Sequence, residues 1–207
     1  MIQYFNTHWI FGFGFFAQAI FGTRILLQWW MTEKKGQVVS PNLFWRLSLL
    51  GSVLFLAYGI LRYDVVIVLG QLVAYFIYLR NLQLKKDWSS YSFSIKLLLL
   101  ALPVIAILWI LERSNGFNFK AFLTFQGTAM VWIGIIGQLL LNFRFLYQLH
   151  YSEKRGESLL PLGFWWISLG GAVLVTIYSV YRRDPVLFLA QSLALIPYLR
   201  NIVISRK

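Results

Sequence analysis

Two arginines inside apolar stretches are the residues of this chain best suited to chemistry. Arg24 and Gln28 are four residues apart and therefore neighbours on a helix, and Arg144 and Gln148 repeat the pair. A guanidinium within an apolar run must reach the interface, pair with an acid or line a wet cavity. Because arginine binds phosphate oxygens through two parallel hydrogen bonds, the sharper interpretation is an anion site.

The plainer interpretation of the same arginines is a structural ion pair. Glu33 and Glu153 are the nearest acids in the sequence and could neutralise Arg24 and Arg144 near the end of a helix. The sequence leaves both interpretations open.

Further candidates for substrate contact are amides and phenols in the same runs. Gln18 lies about nine residues, or ~13 Å, into its run, close to the middle of a membrane. Such a glutamine can contact a ligand or only hydrogen-bond a neighbouring helix. With the two arginine–glutamine pairs, the candidate binding residues are completed by Gln18, Gln71, Tyr78, Gln138, Gln191 and Tyr198.

The composition indicates lipid as the solvent. The 207 residues are 59% hydrophobic and only 13% charged, whereas soluble domains are about 25% charged. The net charge of +12 comes from basic residues at the ends of apolar runs, which is typical of topogenic charge and argues against nucleic-acid binding.

Seven apolar runs are long enough to cross a bilayer as helices, the form that satisfies every backbone group in lipid. Alternate connections carry about eleven Lys and Arg on one side and about five on the other, which predicts a periplasmic N-terminus and a cytoplasmic C-terminus. The predicted spans are 9–31, 41–61, 65–84, 93–111, 122–149, 161–181 and 185–205.

The chain matches itself at a shift of 120 residues. About 26 of the 64 positions from 18 to 81 are identical to their counterparts, a sign of duplication. Each copy holds three spans, and the unmatched fourth span lets both copies face the same way. We predict an all-α membrane protein in a 3+1+3 arrangement, with one repeat at 1–87, a linker helix at 88–120, a parallel second repeat at 121–207 and a site between the halves.

No catalytic constellation is visible in the sequence. There is no cluster of metal ligands, no glycine-rich phosphate loop and no nucleophile motif, so we expect no metal, no cofactor and no enzymatic activity. Trp45 and Trp165 stand near the starts of their spans, where aromatic residues often mark the membrane interface.

The repeated pattern resembles the lipid A biosynthesis N-terminal domain family, which is distantly similar to the PQ-loop and SWEET transporters. In the first copy the resemblance rests on Gln18, Arg24, Gln28-Trp29, Glu33, Pro41, Phe44-Trp45, Ser48-Leu49, Gly51, Tyr58, Arg62, Asp64, Gln71, Tyr78 and Arg80-Asn81. The second copy repeats most of these, although Leu149 stands where the first copy has Trp29, and the chain lacks a Pro-Gln pair. The resemblance implies an association with polyprenyl-phosphate glycosyltransferases and with sugar decoration of lipid A or other envelope glycans.

Three functional hypotheses follow. The first is a transporter or flippase in the bacterial inner membrane for an anionic lipid-linked sugar, with a membrane lipid or polyprenyl-phosphate sugar as its ligand. The second is a non-transporting accessory subunit of a membrane glycosyltransferase. The third, suggested by the family name alone, is an enzyme that acts on lipid A precursors.

Overall fold

The computed structural model describes residues 2–61, 65–113, 129–183 and 185–206. Within these ranges the chain forms seven α-helices and no β-strand. The helices are α1 (Ile2–Lys35), α2 (Asn42–Leu61), α3 (Val65–Leu84), α4 (Phe93–Arg113), α5 (Ala129–Arg155), α6 (Leu162–Arg182) and α7 (Pro185–Ser205). A 3-10 helix, Asp87–Ser90, lies between α3 and α4.

The helix boundaries agree closely with the predicted spans. Helices α2, α3, α4, α6 and α7 begin and end within two residues of the prediction. Helix α1 begins at Ile2, before the predicted start at residue 9. Helices α1 and α5 also extend beyond the apolar run at their C-terminal ends, where each finishes in two basic residues that interact favourably with the helix dipole. The predicted start of the fifth span, at residues 122–128, lies outside the described residues.

Five of the described helices are long and apolar enough to cross a membrane. They are α2, α3, α4, α6 and α7. Helix α4 has the highest mean hydropathy, 2.5, and only 11% of its most apolar window is buried within the chain, so its surface is suited to contact with lipid. The all-helical membrane class is therefore confirmed.

The chain divides into two compact units whose boundaries differ from those of the sequence repeats. The first unit contains residues 1–24 and 42–119, and the second contains residues 25–41 and 120–207. The C-terminal part of α1 and the loop that follows it therefore pack with the second repeat. The repeat and linker boundaries themselves stay a prediction.

Each unit has a core of buried apolar side chains from its helices. In the first unit the core includes Leu56, Val68, Tyr75 and Leu82. In the second unit α5 and α6 approach so closely that a methyl group on Gly137 would lie 3.0 Å from the carbonyl oxygen of Gly171. Glycine at both positions permits this approach of two helix backbones.

The 3-10 helix is attached to α2 by an ion pair. Arg46 donates through Nε and Nη2 to the two carboxylate oxygens of Asp87, at 2.7 and 2.6 Å, and the side-chain amide of Asn42 donates to the same carboxylate at 3.0 Å. The second repeat has Trp166 at the position of Arg46, so this attachment is particular to the first unit.

Candidate functional site

Arg24 is buried in an aromatic cage inside the first unit. Its guanidinium carbon lies 4.5 Å from the ring centre of Phe21, 5.4 Å from that of Phe44 and 5.2 Å from that of Tyr78. Its Nη1 donates to the hydroxyl oxygen of Ser48 at 2.7 Å. Helices α1, α2 and α3 thus each supply a wall of the cage, and the ring faces attract the cation.

Arg144 occupies the matching cage in the second unit. Its guanidinium carbon lies 4.9 Å from the ring centre of Phe145, 5.4 Å from that of Phe164 and 5.3 Å from that of Tyr198. Its Nη1 donates to the phenol oxygen of Tyr198 at 2.7 Å. Among the described residues this phenol is its hydrogen-bonding partner, and its Nε has none.

The two cages share their ring geometry. Phe44 meets Trp45 edge to face at 4.8 Å, and Trp45 lies 6.1 Å from Tyr78. The corresponding ring-centre distances in the second unit are 4.9 Å for Phe164–Trp165 and 6.1 Å for Trp165–Tyr198. A duplicated sequence has therefore built these ring pairs twice, although Phe21 and Phe145, the rings nearest the two guanidinium groups, are not at matching positions of the repeat.

The interfacial role expected for Trp45 and Trp165 is wrong. Their exposed fractions are 0% and 2%, so neither ring belongs to an aromatic belt. Each tryptophan packs beside the tyrosine that contacts the buried arginine. Position near the start of a span suggested the interface, but the ring faces the bundle and is needed there to fill the cage.

Gln28 and Gln148 hold the loop that follows their helix. Gln28 donates to the hydroxyl of Thr32 at 2.9 Å and to the carbonyl of Val39 at 3.2 Å. Gln148 makes the same contacts with Ser152 and the carbonyl of Leu159, both at 2.8 Å. Both glutamines are fully buried, so a local role in closing the loop accounts for their recurrence.

The glycines Gly36 and Gly156 make these loops possible. Their φ angles are +65° and +68°, the left-handed conformation that commonly ends a helix and that glycine adopts without strain.

The remaining candidate amides are less enclosed. Gln18 and Gln138 are exposed on the helix surface, while Gln71 and Gln191 are half-buried. The Oε1 atom of Gln71 is nevertheless buried and has no hydrogen-bonding partner among the described residues. None of these four amides enters an arginine cage through the contacts described above, and their ligand roles stay a prediction.

A polar clasp, formed by Gln28, Glu33, Arg200 and Asn201, joins the end of α1 to the end of α7 within the second unit. The side-chain amides of Gln28 and Asn201 exchange hydrogen bonds at 3.0 and 3.2 Å. One turn further on, Arg200 binds both carboxylate oxygens of Glu33, with Nη2 at 2.9 Å from Oε2. Sequence reasoning missed the clasp because its partners are 167 and 173 residues apart; the recurrence of Arg80-Asn81 as Arg200-Asn201 was the available signal.

The cages are the parts of the described structure best suited to bind an anion. Each holds a positive charge among aromatic rings, in surroundings of low dielectric constant where an anion is attracted strongly. For Arg144 the hydrogen-bonding partner is neutral, so the charge is stabilised without being cancelled.

Comparison with known proteins gives relatives among enzymes. The chain is 30% identical over 204 residues to the lipid-A-disaccharide synthase of Chlamydia pneumoniae, which covers 93% of this chain and 33% of the relative. It is likewise 30% identical over 214 residues to the synthase of the same name from Chlamydia muridarum, covering 97% of this chain and 35% of the relative. The chain thus spans about a third of the length of these relatives, and no solved structure matches it.

These relatives correct one expectation. The absence of catalytic motifs led us to expect no enzymatic activity, and that expectation is wrong, because the relatives carry the name of an enzyme. The motif search failed because it considered this chain's residues alone, whereas the relatives extend well beyond the matched region.

The family model of the lipid A biosynthesis N-terminal domain matches twice, at residues 13–83 and 133–203. The two matches cover most of the chain and coincide with the two copies found by self-comparison, so the predicted resemblance is confirmed. The chain belongs to the lipid A biosynthesis N-terminal domain family, as two tandem copies of that domain.

Proposed function

We propose that this chain moves an anionic lipid-linked sugar across the bacterial inner membrane during the synthesis of lipid A or another envelope glycan. The observation that carries the proposal is a buried arginine at the same position of each repeat, held in an aromatic cage. The family and its enzyme relatives support the lipid A context.

The chemistry of the cage around Arg144 favours a phosphate group as the ligand. A buried charge without a fixed counter-charge costs several kcal/mol in an apolar medium, and a bound phosphate would remove that cost. A fixed carboxylate would remove it permanently and leave nothing for a substrate to gain. Arg144, whose described partner is a phenol, therefore has the character of a ligand-binding group.

The transport proposal includes an arrangement of the repeats. Each would supply one phosphate-binding arginine, with the repeats in the same orientation, the N-terminus in the periplasm and the C-terminus in the cytoplasm. The distribution of basic residues and the odd number of helices per repeat support this topology.

A second candidate function rests on the length of the relatives. Because this chain corresponds to about a third of proteins named lipid-A-disaccharide synthase, it could serve as a membrane module beside such a synthase. It would then bind the lipid precursor and present it to the catalytic part, in the same polypeptide or in a partner. An action of the chain itself on lipid A precursors is a variant of this proposal.

The decisive experiment is a translocation assay with the purified chain in liposomes. The probe is a fluorescent polyprenyl-phosphate sugar whose outer-leaflet fraction is quenched chemically. Replacing both Arg24 and Arg144 with alanine should slow translocation by about tenfold or more, as expected for the loss of hydrogen bonds to a charged group. The double replacement Lys34→Ala with Lys154→Ala, at exposed positions of the same two helices, is the matched control.

Two further results complete the test. The double variant Arg24→Lys with Arg144→Lys keeps both positive charges but lacks the planar guanidinium groups. Its translocation rate should lie between those of wild type and the alanine variant. An unchanged rate in a folded alanine variant would refute the phosphate-binding role. Translocation absent from wild type, together with a synthase that requires this chain, would favour the membrane-module function.

A further inference from the structure

Besides the hydroxyl of Thr176, two buried nitrogen donors of the second unit have no acceptor among the described residues. They are Nε of Arg144 and Nε1 of Trp165. The exposed fractions of these residues are 8% and 2%, so water does not reach either atom in this state. A buried donor left without an acceptor destabilises the folded state by about 1–3 kcal/mol. Two such donors in one cluster are therefore unusual in a native protein.

Tyr198 connects the two donors. Its phenol oxygen accepts from Nη1 of Arg144 at 2.7 Å, and its ring lies 6.1 Å from the ring of Trp165. Because a hydroxyl that accepts a hydrogen bond still has its own proton to give, Tyr198 offers a third donor beside the other two.

The chemistry of these groups defines what could satisfy them. Arginine and tryptophan side chains donate and do not accept, so the ligand must present several acceptor oxygens to neighbouring donors. The positive charge requires that the ligand be an anion. A phosphate group meets both conditions, whereas a neutral sugar hydroxyl supplies neither the charge nor enough acceptors.

The first unit differs at the tryptophan. Trp45 is fully buried at the position that matches Trp165, but its Nε1 is not among the described buried atoms left without an acceptor. The buried indole N–H without an acceptor therefore belongs to the second repeat, although the tryptophan and tyrosine rings are the same distance apart in the two cages.

We propose that Arg144, Trp165 and Tyr198 form a phosphate subsite within the second repeat, in which the indole of Trp165 donates to a phosphate oxygen. The subsite deepens the proposed function and rests on it, since it names the half of the molecule that binds the anionic group. Trp165 is the new assignment, because the sequence placed it at the membrane interface.

The test measures phosphate binding by the full purified chain in phosphatidylcholine nanodiscs. Thermal unfolding is followed while either phosphatidic acid or inorganic phosphate is added. Phosphatidic acid should raise the unfolding temperature of wild type. Trp165→Phe, which keeps an aromatic ring and removes the indole donor, should weaken the apparent affinity roughly tenfold.

Trp166→Phe is the matched control, since Trp166 is the adjacent residue on α6 and its ring is exposed and contacts Arg206. It should bind as wild type does. If Trp165→Phe fails to fold, Tyr198→Phe removes a second donor of the same subsite and should also weaken binding. An effect of phosphatidic acid alone identifies a lipid headgroup as the source of the phosphate, and an equal effect of inorganic phosphate identifies the free anion.

The inference is overturned if Trp165→Phe and Tyr198→Phe both fold and bind phosphatidic acid and inorganic phosphate as wild type does. A purely structural role would change the unfolding temperature without ligand and leave the ligand-induced increase intact. The outcome is separable from the proposed function. Binding that depends on Trp165 in a chain that translocates nothing would retain the subsite and reject transport, while translocation without such binding would do the reverse.

Discussion

Two arginines of the second unit meet opposite environments although one of them lies close in sequence to the other's partner. Arg144 is buried and donates to the phenol of Tyr198, whereas Arg200, two residues further along α7, is 46% exposed and binds the carboxylate of Glu33. The position of the acids explains the difference: the five acidic residues within the described ranges stand at helix ends or in connections, namely Glu33, Asp87, Glu112, Glu153 and Glu157. The exposed guanidinium of Arg200 is thus paired with a carboxylate, whereas the buried guanidinium of Arg144 has a neutral partner.

This contrast separates two uses of a guanidinium. At the helix end the ion pair joins α1 to α7 and its charge is cancelled in place. In the cage the hydrogen bond orients the guanidinium while the charge remains to attract an anion. The following predictions test whether the two regions differ in this way.

The largest effect on stability is expected from the buried amide pair between the two regions. Gln28→Leu strands the amide of Asn201 and the carbonyl of Val39, each at about 1–3 kcal/mol. The free energy of unfolding in detergent should fall accordingly, while Gln37→Leu, in the exposed loop, should have little effect.

Replacing both partners tests whether the amide pair itself is responsible. The double variant Gln28→Leu with Asn201→Leu should lose less stability than the sum of the single variants, because neither amide is then left without its partner. Strict additivity would contradict the assigned contact.

The next largest effect concerns the phenol that holds Arg144. Tyr198→Phe leaves one buried guanidinium N–H without its acceptor and should cost about 1.5–3 kcal/mol in the free energy of unfolding without ligand. Tyr181→Phe, at an exposed position of α6, is the control. Equal stability of the two variants would mean that the phenol does not hold the cation.

A smaller effect is expected at the 3-10 helix, where the carboxylate is buried and the arginine is exposed. The hydrogen bond from Arg46 lowers the pKa of Asp87 below its ordinary value of 3.8, against the opposing effect of burial. Because the pKa is lowered in the folded state, the stabilisation is complete at neutral pH and is lost as the pH falls through the lowered pKa. Arg46→Ala should raise the pKa of Asp87 in the folded state, so that less stability is lost on acidification than in wild type.

Carbon NMR of labelled aspartate would measure this shift directly. The chain has three aspartates, and Asp87→Asn assigns the signal. A titration of Asp87 that is identical in wild type and Arg46→Ala would contradict the ion pair.

The smallest effect is expected from the exposed ion pair. Arg200→Gln should lower the unfolding temperature slightly in dilute buffer, and the difference should vanish in about 1 M salt, where charges are screened within about 3 Å. The same salt should leave the effect of Tyr198→Phe in place. If Arg200→Gln lowers the unfolding temperature equally in dilute buffer and in high salt, the contact of Arg200 behaves like that of the buried Arg144.

Much of the fold could be read from the sequence because its signals are local or periodic. Apolar run lengths gave the helix boundaries, and the 120-residue shift gave the two copies that the family model confirms. Arg24 and Arg144 were identified as the unusual charges, since a basic residue within an apolar run is costly wherever it points.

The partners of those residues could not be read in the same way. Glu33 was considered for Arg24 because it is near in sequence, yet the structure gives it to Arg200, a contact that depends on how the chain folds back. The two glutamines were predicted as ligand contacts; the structure shows that they bind their own loops, and their ligand roles stay a prediction. Their recurrence with a hydroxyl four residues later and a glycine eight residues later was a sign of a local motif.

Helix α1 has a consequence for any attempt to study half of this protein. Because residues 25–41 pack with the second unit, a fragment that contains only the second sequence copy would lack Glu33 and Gln28, the partners of Arg200 and Asn201. Such a half-length polypeptide would lose these contacts unless another molecule supplied the missing segment. Duplication has here produced halves that are alike in sequence but not self-sufficient, and a divided gene would need co-expression to restore the whole.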